Sequence, residues 1–260
     1  MNAIGRKQHI IQKLQKENYV DTNELAAELA VSAMTIRRDL NALAKSGLIT
    51  VQHGGATLNS GSLFEFNMAM KNENQMTEKM RIAKKCLEYV HGGDSVYLDA
   101  GTTVSCLAPL LKGKENVLIM THSLLAMDQL SDTNLHVIMC PGEYRSDSLA
   151  FIGSLTDEFI SQFQIDTLFL GVEGIDLNGG FSVPHIADGT TKRTLVKKAR
   201  QVICMADSSK FDSAYYFSIA PLQDADLIVT DSGISPAVLE RYTSAVSYTH
   251  LRAHETLANL

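Results

Sequence analysis

The chain has 260 residues, 23 Lys and Arg against 29 Asp and Glu for a net charge of −6, and 45% hydrophobic residues. That length holds one large α/β domain or a small domain beside a larger one, and the apolar content excludes a disordered polyelectrolyte. The longest apolar runs, such as Val117-Leu118-Ile119-Met120, are far too short to span a bilayer, and no charged-then-apolar leader opens the chain, so a cytoplasmic protein without a membrane partner is expected.

Residues 1–57 carry seven basic side chains (Arg6, Lys7, Lys13, Lys16, Arg37, Arg38, Lys45) and five acidic ones (Glu17, Asp21, Glu24, Glu28, Asp39). Their net of +2 leaves −8 for the remainder. The spacing of Ile10, Ile11 and Leu14 predicts a first helix over about Gly5 to Glu17. Asp21 with Glu24 three residues on starts a second, which buries Leu25 and Leu29. Ala30-Val31-Ser32 leaves room for only a tight turn, and Ser32 caps a third helix whose inward stripe is Ile36, Leu40 and Leu43. Gly47 ends that helix. Leu48–Gln52 and Ala56–Leu58 then flank His53-Gly54-Gly55 as a two-stranded wing.

Two short helices with a tight turn match a helix-turn-helix, whose second helix enters the major groove. The outward face of helix three carries Met34, Thr35, Arg37, Arg38 and Asn41, residue types that reach phosphates and base edges. An αα-hairpin with a solvated basic face accounts for the spacing nearly as well. The residues decide between them. Asn23-Glu24-Leu25-Ala26, Val31-Ser32-Ala33-Met34-Thr35-Ile36-Arg37-Arg38-Asp39-Leu40 and His53-Gly54-Gly55-Ala56 resemble the DeoR family of bacterial transcriptional regulators. The resemblance implies a winged helix-turn-helix on operator DNA, with Ser32, Met34, Thr35, Arg37, Arg38, Asn41, His53 and Gly54 as DNA-binding residues. Thr50-Val51-Gln52 stands where many members carry Arg or Lys.

Asn59-Ser60-Gly61-Ser62 reads as part of a linker over residues 58–75. From Met76 the pattern alternates helices (near 77–90, 103–111, 123–130, 155–163, 190–199) with strands (95–98, 117–120, 136–139, 167–170, 202–205, 227–229). Ser235-Pro236 opens a last short helix. Alternation of this kind implies βαβ units and a largely parallel sheet. After the strands come Asp99-Ala100-Gly101-Thr102-Thr103, Thr121-His122-Ser123, Pro141-Gly142, Gly171-Val172-Glu173-Gly174, Asp207-Ser208-Ser209-Lys210 and Asp231-Ser232-Gly233. Ligands of open α/β sheets bind outside these carboxyl ends. Gly101-Thr102-Thr103 suits a phosphate, although Thr102 as a plain helix cap is the commoner use of such a residue. Lys192, Arg193 and Lys210 are candidate countercharges; Lys192 and Lys197 also fit a solvated helix face.

These segments resemble the effector domain of the DeoR family, so the resemblance covers Asn2 to about Tyr242. It implies a sensor fold similar to ribose-phosphate isomerases and CoA transferases that binds a phosphorylated sugar or related intermediate. The implied effector-binding residues are Asp99, Gly101, Thr102, Thr103, Thr121, His122, Ser123, Gly142, Glu173 and Lys210. The chain departs from the family at His122, at Pro141-Gly142 and at Asp188.

The fold class expected is α/β: a winged helix-turn-helix at 1–57, the linker at 58–75 and a larger sensor domain at 76–246. The expected function is a repressor of carbohydrate-metabolism genes, a homodimer or homotetramer, relieved by its effector. The alternative is a sugar-phosphate isomerase-like enzyme using Asp99 or Glu173 as base. The chain holds no matched acid/base pair, no Gly-x-Gly-x-x-Gly after a strand and no Cys-x-x-Cys pair. No catalytic residue, metal or cofactor is therefore expected. Ser247 to Thr256 shows no pattern continuous with Glu240-Arg241-Tyr242 and resembles translated sequencing-adapter tails. Residues 247–260 are accordingly expected to be a non-native tail, with the natural C-terminus missing.

Overall fold

A computed structural model of the chain describes residues 3–45, 49–58, 75–146, 148–245 and 250–253. They fall into two units, Met1–Asn74 and Gln75–Leu260. Gly47, Leu48 and the linker residues 59–74 lie outside the described residues.

In the first unit, α1 (Ala3–Glu17), α2 (Thr22–Glu28) and α3 (Ala33–Lys45) enclose Ile10, Ile11, Leu14, Leu25, Ile36, Leu40 and Leu43, all buried. Each such side chain contributes about 2 kcal/mol by leaving water. The α3 stripe recurs at i, i+4 and i+7, which puts the basic residues between these positions on the opposite side. Asp21 caps α2 by accepting from the amides of Asn23 at 2.7 Å and Glu24 at 3.1 Å. Leu29 lies one residue past the end of α2 and is only half-buried. Ala30 follows at φ +51°, the Val31 amide bonds back to the Ala26 carbonyl at 3.0 Å, and the Ala30 amide to that of Ala27 at 3.3 Å. This is a Schellman stop with alanine in the left-handed position that glycine usually fills.

The wing has three strands rather than two. β1 (Tyr19–Asp21), β2 (Ile49–Gln52) and β3 (Gly55–Leu58) pair antiparallel in the order β1-β3-β2. A strand of three residues leaves no alternation to read, so β1 escapes a sequence analysis. Gly54 turns the hairpin at φ +85°, and a Cβ at Gly55 would run into the Val20 carbonyl oxygen.

The second unit is built on a parallel sheet, seven-stranded among the described residues. It comprises β4 (Ser95–Leu98), β5 (Leu118–Thr121), β6 (His136–Met139), β9 (Ile165–Gly171), β12 (Ala199–Met205), β14 (Leu227–Thr230) and β15 (His250–Ala253). Their order is β15-β14-β12-β9-β4-β5-β6. Alternate residues feed opposite faces. Tyr97, Leu168, Leu170 and Cys204 enter one core, while Val96, Leu98, Phe169 and Ile203 enter the other. Helices α4 (Met76–Cys86), α5 (Thr102–Ser105), α6 (Leu124–Leu130), α7 (Ser154–Ser161), α8 (Ile186–Lys198) and α9 (Pro236–Ala245) complete the unit.

Three features depart from the expected pattern. A hairpin of β7 (Glu143–Arg145) and β8 (Ala150–Ile152) stands beyond β6. A small antiparallel sheet joins β10 (Gly174–Asp176), β11 (Gly180–Val183) and β13 (Phe217–Ala220). Both are short segments among glycines and polar residues, where period-two patterning is weak. The stretch expected to have no strand character supplies β15, whose backbone pairs in parallel with β14 and caps its otherwise open edge.

Candidate functional sites

The outward face of α3 begins at its cap. The Ser32 hydroxyl accepts from the Thr35 amide at 3.2 Å and lies 2.9 Å from the Thr35 hydroxyl, so both side chains are engaged in starting the helix. Arg37, Arg38 and Asn41 are exposed, and Met34 is 56% exposed. Asp39, the one acid among them, is buried and paired with Arg6 at 2.8 Å. That pairing leaves the exposed face cationic. His53 and Gly54 are exposed at the wing turn, and the Gly54 carbonyl accepts from the Thr22 amide at 2.8 Å. The wing turn is thereby tied to the first residue of α2.

In the second unit the sheet order reverses between β4 and β9: β5 and β6 lie to one side, β12 and β14 to the other. A crevice for ligands opens at such a point. Asp99 stands there, fully buried. One of its carboxylate oxygens accepts from Lys192 at 2.6 Å and the Gly171 amide at 2.8 Å; the other accepts from its neighbouring Ala100 amide at 2.8 Å. Lys192 also donates to the Ala100 carbonyl at 3.2 Å and lies 3.6 Å from Asp188. Burial opposes its charge, but Asp188 and Asp99 outweigh that and hold its pKa above the ordinary lysine value. Lys210 pairs with Glu173 at 3.0 Å. Burial opposes the Lys210 charge as well, and Glu173 with Asp207 raises its pKa. Lys79, also buried, has its pKa lowered, chiefly by desolvation.

The remaining predicted site residues divide into two sets. Gly101, Thr102 and Thr103 form the turn into α5 beside Asp99; Gly101 is the cap residue, so Thr102 is not the helix cap. Thr121, Ser123 and Gly142 are bound up in the framework. The Thr121 hydroxyl donates to the Leu98 carbonyl at 2.7 Å and accepts from the Ser123 amide at 3.0 Å. Ser123 caps α6, and a Cβ on Gly142 would strike the Thr156 hydroxyl. His122 is fully buried, with Nδ1 at 3.0 Å from the Tyr97 hydroxyl and Nε2 at 3.7 Å from Asp99 Oδ1. Burial, helped by the Lys192 charge, pushes its pKa down to about 3, so the ring is neutral.

Two expectations need correction. Lys192 is no part of a solvated face, being 2% exposed, whereas Lys197 is exposed. Arg193 is not a countercharge at the crevice: its guanidinium donates to the Ser218 and Ile219 carbonyls and lies 4.4 Å above the Phe217 ring. Tyr97 is the residue that sequence reasoning missed. Nothing marks it among strand aromatics until His122 is placed beside it. Among the described residues no group of three or more His, Cys, Asp or Glu could hold a metal ion, and no helix is long and apolar enough to cross a membrane.

A winged helix-turn-helix with a cationic recognition helix, together with an α/β unit bearing a cluster of charged residues at its strand ends, defines a DNA-binding regulator of two parts. The DeoR-like helix-turn-helix domain matches residues 6–62 and the DeoR C terminal sensor domain matches residues 74–232. The chain belongs to the DeoR family of transcriptional regulators. It is 34% identical to the glycerol-3-phosphate regulon repressor of Escherichia coli K12 over 244 residues, 94% of this chain and 96% of that one. It is also 34% identical to the protein of the same name from Haemophilus influenzae over 231 residues, 88% and 90% of the two chains. A third relative, the HTH-type transcriptional regulator GlpR of Haloferax volcanii, is 29% identical over 245 residues, 94% and 96% of the two chains. Among solved structures, a D-ribose-5-phosphate isomerase in complex with phospho-erythronic acid aligns with a TM-score of 0.41 at 17% identity, over 53% of this chain and 55% of that one.

Proposed function

We propose that the chain is a cytoplasmic repressor that holds operator DNA through α3 and the wing, and lets go when a phosphorylated sugar or related intermediate enters the crevice between β4 and β9. One observation carries this reading: Lys79, Lys192 and Lys210 are drawn together with Asp99, Asp188 and Glu173 at the sheet's reversal point. Such a set serves a ligand that bears both an anion and hydroxyls. The regulons named for the E. coli and H. influenzae relatives concern glycerol-3-phosphate, a ligand of this kind. Arg37 and Arg38 contact phosphates or guanine edges, Met34 and Asn41 meet bases, and the Ser32–Thr35 pair fixes the helix start. A single winged helix makes too few base contacts for an operator, so a homodimer or homotetramer places paired heads on two half-sites.

Release requires the effector to bind the conformation with weak operator affinity more tightly than the one with strong affinity. An isomerase reading is not favoured, because Asp99 and Glu173 are each already paired with a lysine, Lys192 and Lys210. The test is an operator gel-shift titration at fixed salt against a panel of phosphorylated sugars and polyols. One member of the panel is expected to release the DNA. Full retention with every member, or turnover of any of them, defeats the reading.

A further inference from the structure

Three buried side-chain polar atoms among the described residues have no hydrogen-bond partner: His122 Nε2, Ser148 Oγ and Thr230 Oγ1. Of these, His122 Nε2 faces a second polar atom at the crevice, Asp99 Oδ1, across 3.7 Å. That separation is too long for a hydrogen bond between them. It is right for a single oxygen lying about 2.8 Å from both.

The surroundings determine what that oxygen carries. The Tyr97 hydroxyl lies 3.0 Å from His122 Nδ1 and 3.4 Å from Cys140 Sγ, and its role toward the ring is set by the His122 tautomer. Nε2 presents a lone pair in one tautomer and an N–H in the other. Asp99 Oδ1 has one described partner, the Ala100 amide, and keeps room for another. Asp99 Oδ1 needs a donor in the gap, and a group that donates to it while accepting from Nε2–H serves both atoms. A phosphate oxygen offers none and brings negative charge against a carboxylate; a hydroxyl donates. Gly101 adjoins the pair, and beyond its chain neighbours a Cβ built there would find only the Gly171 Cα, at 4.0 Å. The His122 main chain is fixed as well, its carbonyl accepting from the Phe151 amide of the β7–β8 hairpin at 2.8 Å.

We infer that His122 and Asp99 form a hydroxyl-recognition subsite, which selects the effector by one hydroxyl group and leaves its phosphate to the lysines. The inference rests on the sensor reading above and adds the ligand's second determinant. The neutrality of the His122 ring agrees with it, because a protonated ring would favour an anion.

The test is calorimetric titration of the full chain with glycerol 3-phosphate, ribose 5-phosphate, fructose 1-phosphate and glucose 6-phosphate, their single-deoxy counterparts, and inorganic phosphate. One deoxy counterpart is expected to bind about 10- to 100-fold more weakly than its parent, since its absent hydroxyl leaves the buried Asp99 oxygen unserved. His122→Asn keeps a partner for Tyr97 but empties the Nε2 position, so the gap should close while inorganic phosphate binds unchanged. His122→Gln, which reaches the Nε2 position, should restore part of it. A parent ester that binds with no deoxy counterpart weaker by that factor overturns the subsite, and this arm needs no variant. So does a gap that survives His122→Asn, or one that closes only because phosphate affinity falls equally. Either result leaves the sensor reading standing. A panel in which nothing binds brings down the sensor reading and the subsite together.

Discussion

Arg6 on α1 and Asp39 on α3 close an ion pair of 2.8 Å whose side chains are 13% and 8% exposed. Asp39 follows directly after Arg37 and Arg38, so without Arg6 its carboxylate would subtract from the face that meets DNA. The pair also joins two helices through residues 33 apart in sequence. Asp39→Ala should cost roughly 3 kcal/mol in urea unfolding, because a nearly buried cation loses its counterion. Arg6→Met with Asp39→Leu should recover most of that loss. A single variant within about 0.5 kcal/mol of the parent would show the pair to be superficial.

Arg38 is exposed, so Arg38→Ala should leave stability within about 0.5 kcal/mol while operator retention is lost in a gel shift. If the contact is to a phosphate, the slope of log affinity against log salt falls by about 1. Undiminished operator binding removes Arg38 from the interface.

At the other site the separation runs the opposite way. Lys210→Ala and Thr102→Ala should bind operator normally and respond poorly to effector, seen as a rightward shift in the release titration. A variant released at the parent's effector concentration shows that its side chain does not touch the ligand.

His122 makes stability depend on pH with a definite sign. Its folded pKa of about 3 lies below the ordinary 6.5, so between these values the unfolded chain takes up a proton that the folded chain refuses. The contribution is full above pH 6.5 and is lost as pH falls, by about 1.4 kcal/mol per unit. Urea unfolding from pH 7 to pH 5 should show a shallower slope in His122→Asn than in the parent. Parallel slopes would mean that the ring titrates normally.

Ala30 occupies a left-handed position at φ +51°, a conformation that costs an L-residue roughly 1 kcal/mol. Ala30→Gly removes that strain and adds unfolded-state entropy of nearly equal size. The net effect on urea unfolding should stay within about 0.5 kcal/mol, whereas Ala30→Val, with its branched Cβ, should cost more than 1 kcal/mol.

The head was legible because its logic is local. Asp21 and Ser32 each cap a helix within three residues of themselves, and the Ile36, Leu40, Leu43 stripe lies within a single helix. The parallel strands were legible for a similar reason, as short apolar runs closed by polar turns. Lys192 was not, because its burial depends on Asp99, 93 residues earlier in the chain. No window of sequence distinguishes it from the exposed Lys197 on the same helix. Tyr97 and His122 meet across adjacent strands in the same way, and their pairing follows from strand order rather than from residue type.

Helix α8 carries Lys192 and Arg193 side by side, the first bonded to Asp99 at the end of β4 and the second to the carbonyls of β13. Neighbours on a helix point about 100° apart, so the two anchors pull on different sides of one cylinder. Rolling α8 about its axis breaks one of them whichever way it turns, whereas sliding along the axis strains both alike. The two anchors thereby fix the rotation of α8 about its axis, and its far end, Lys198, runs directly into β12, inside the sheet.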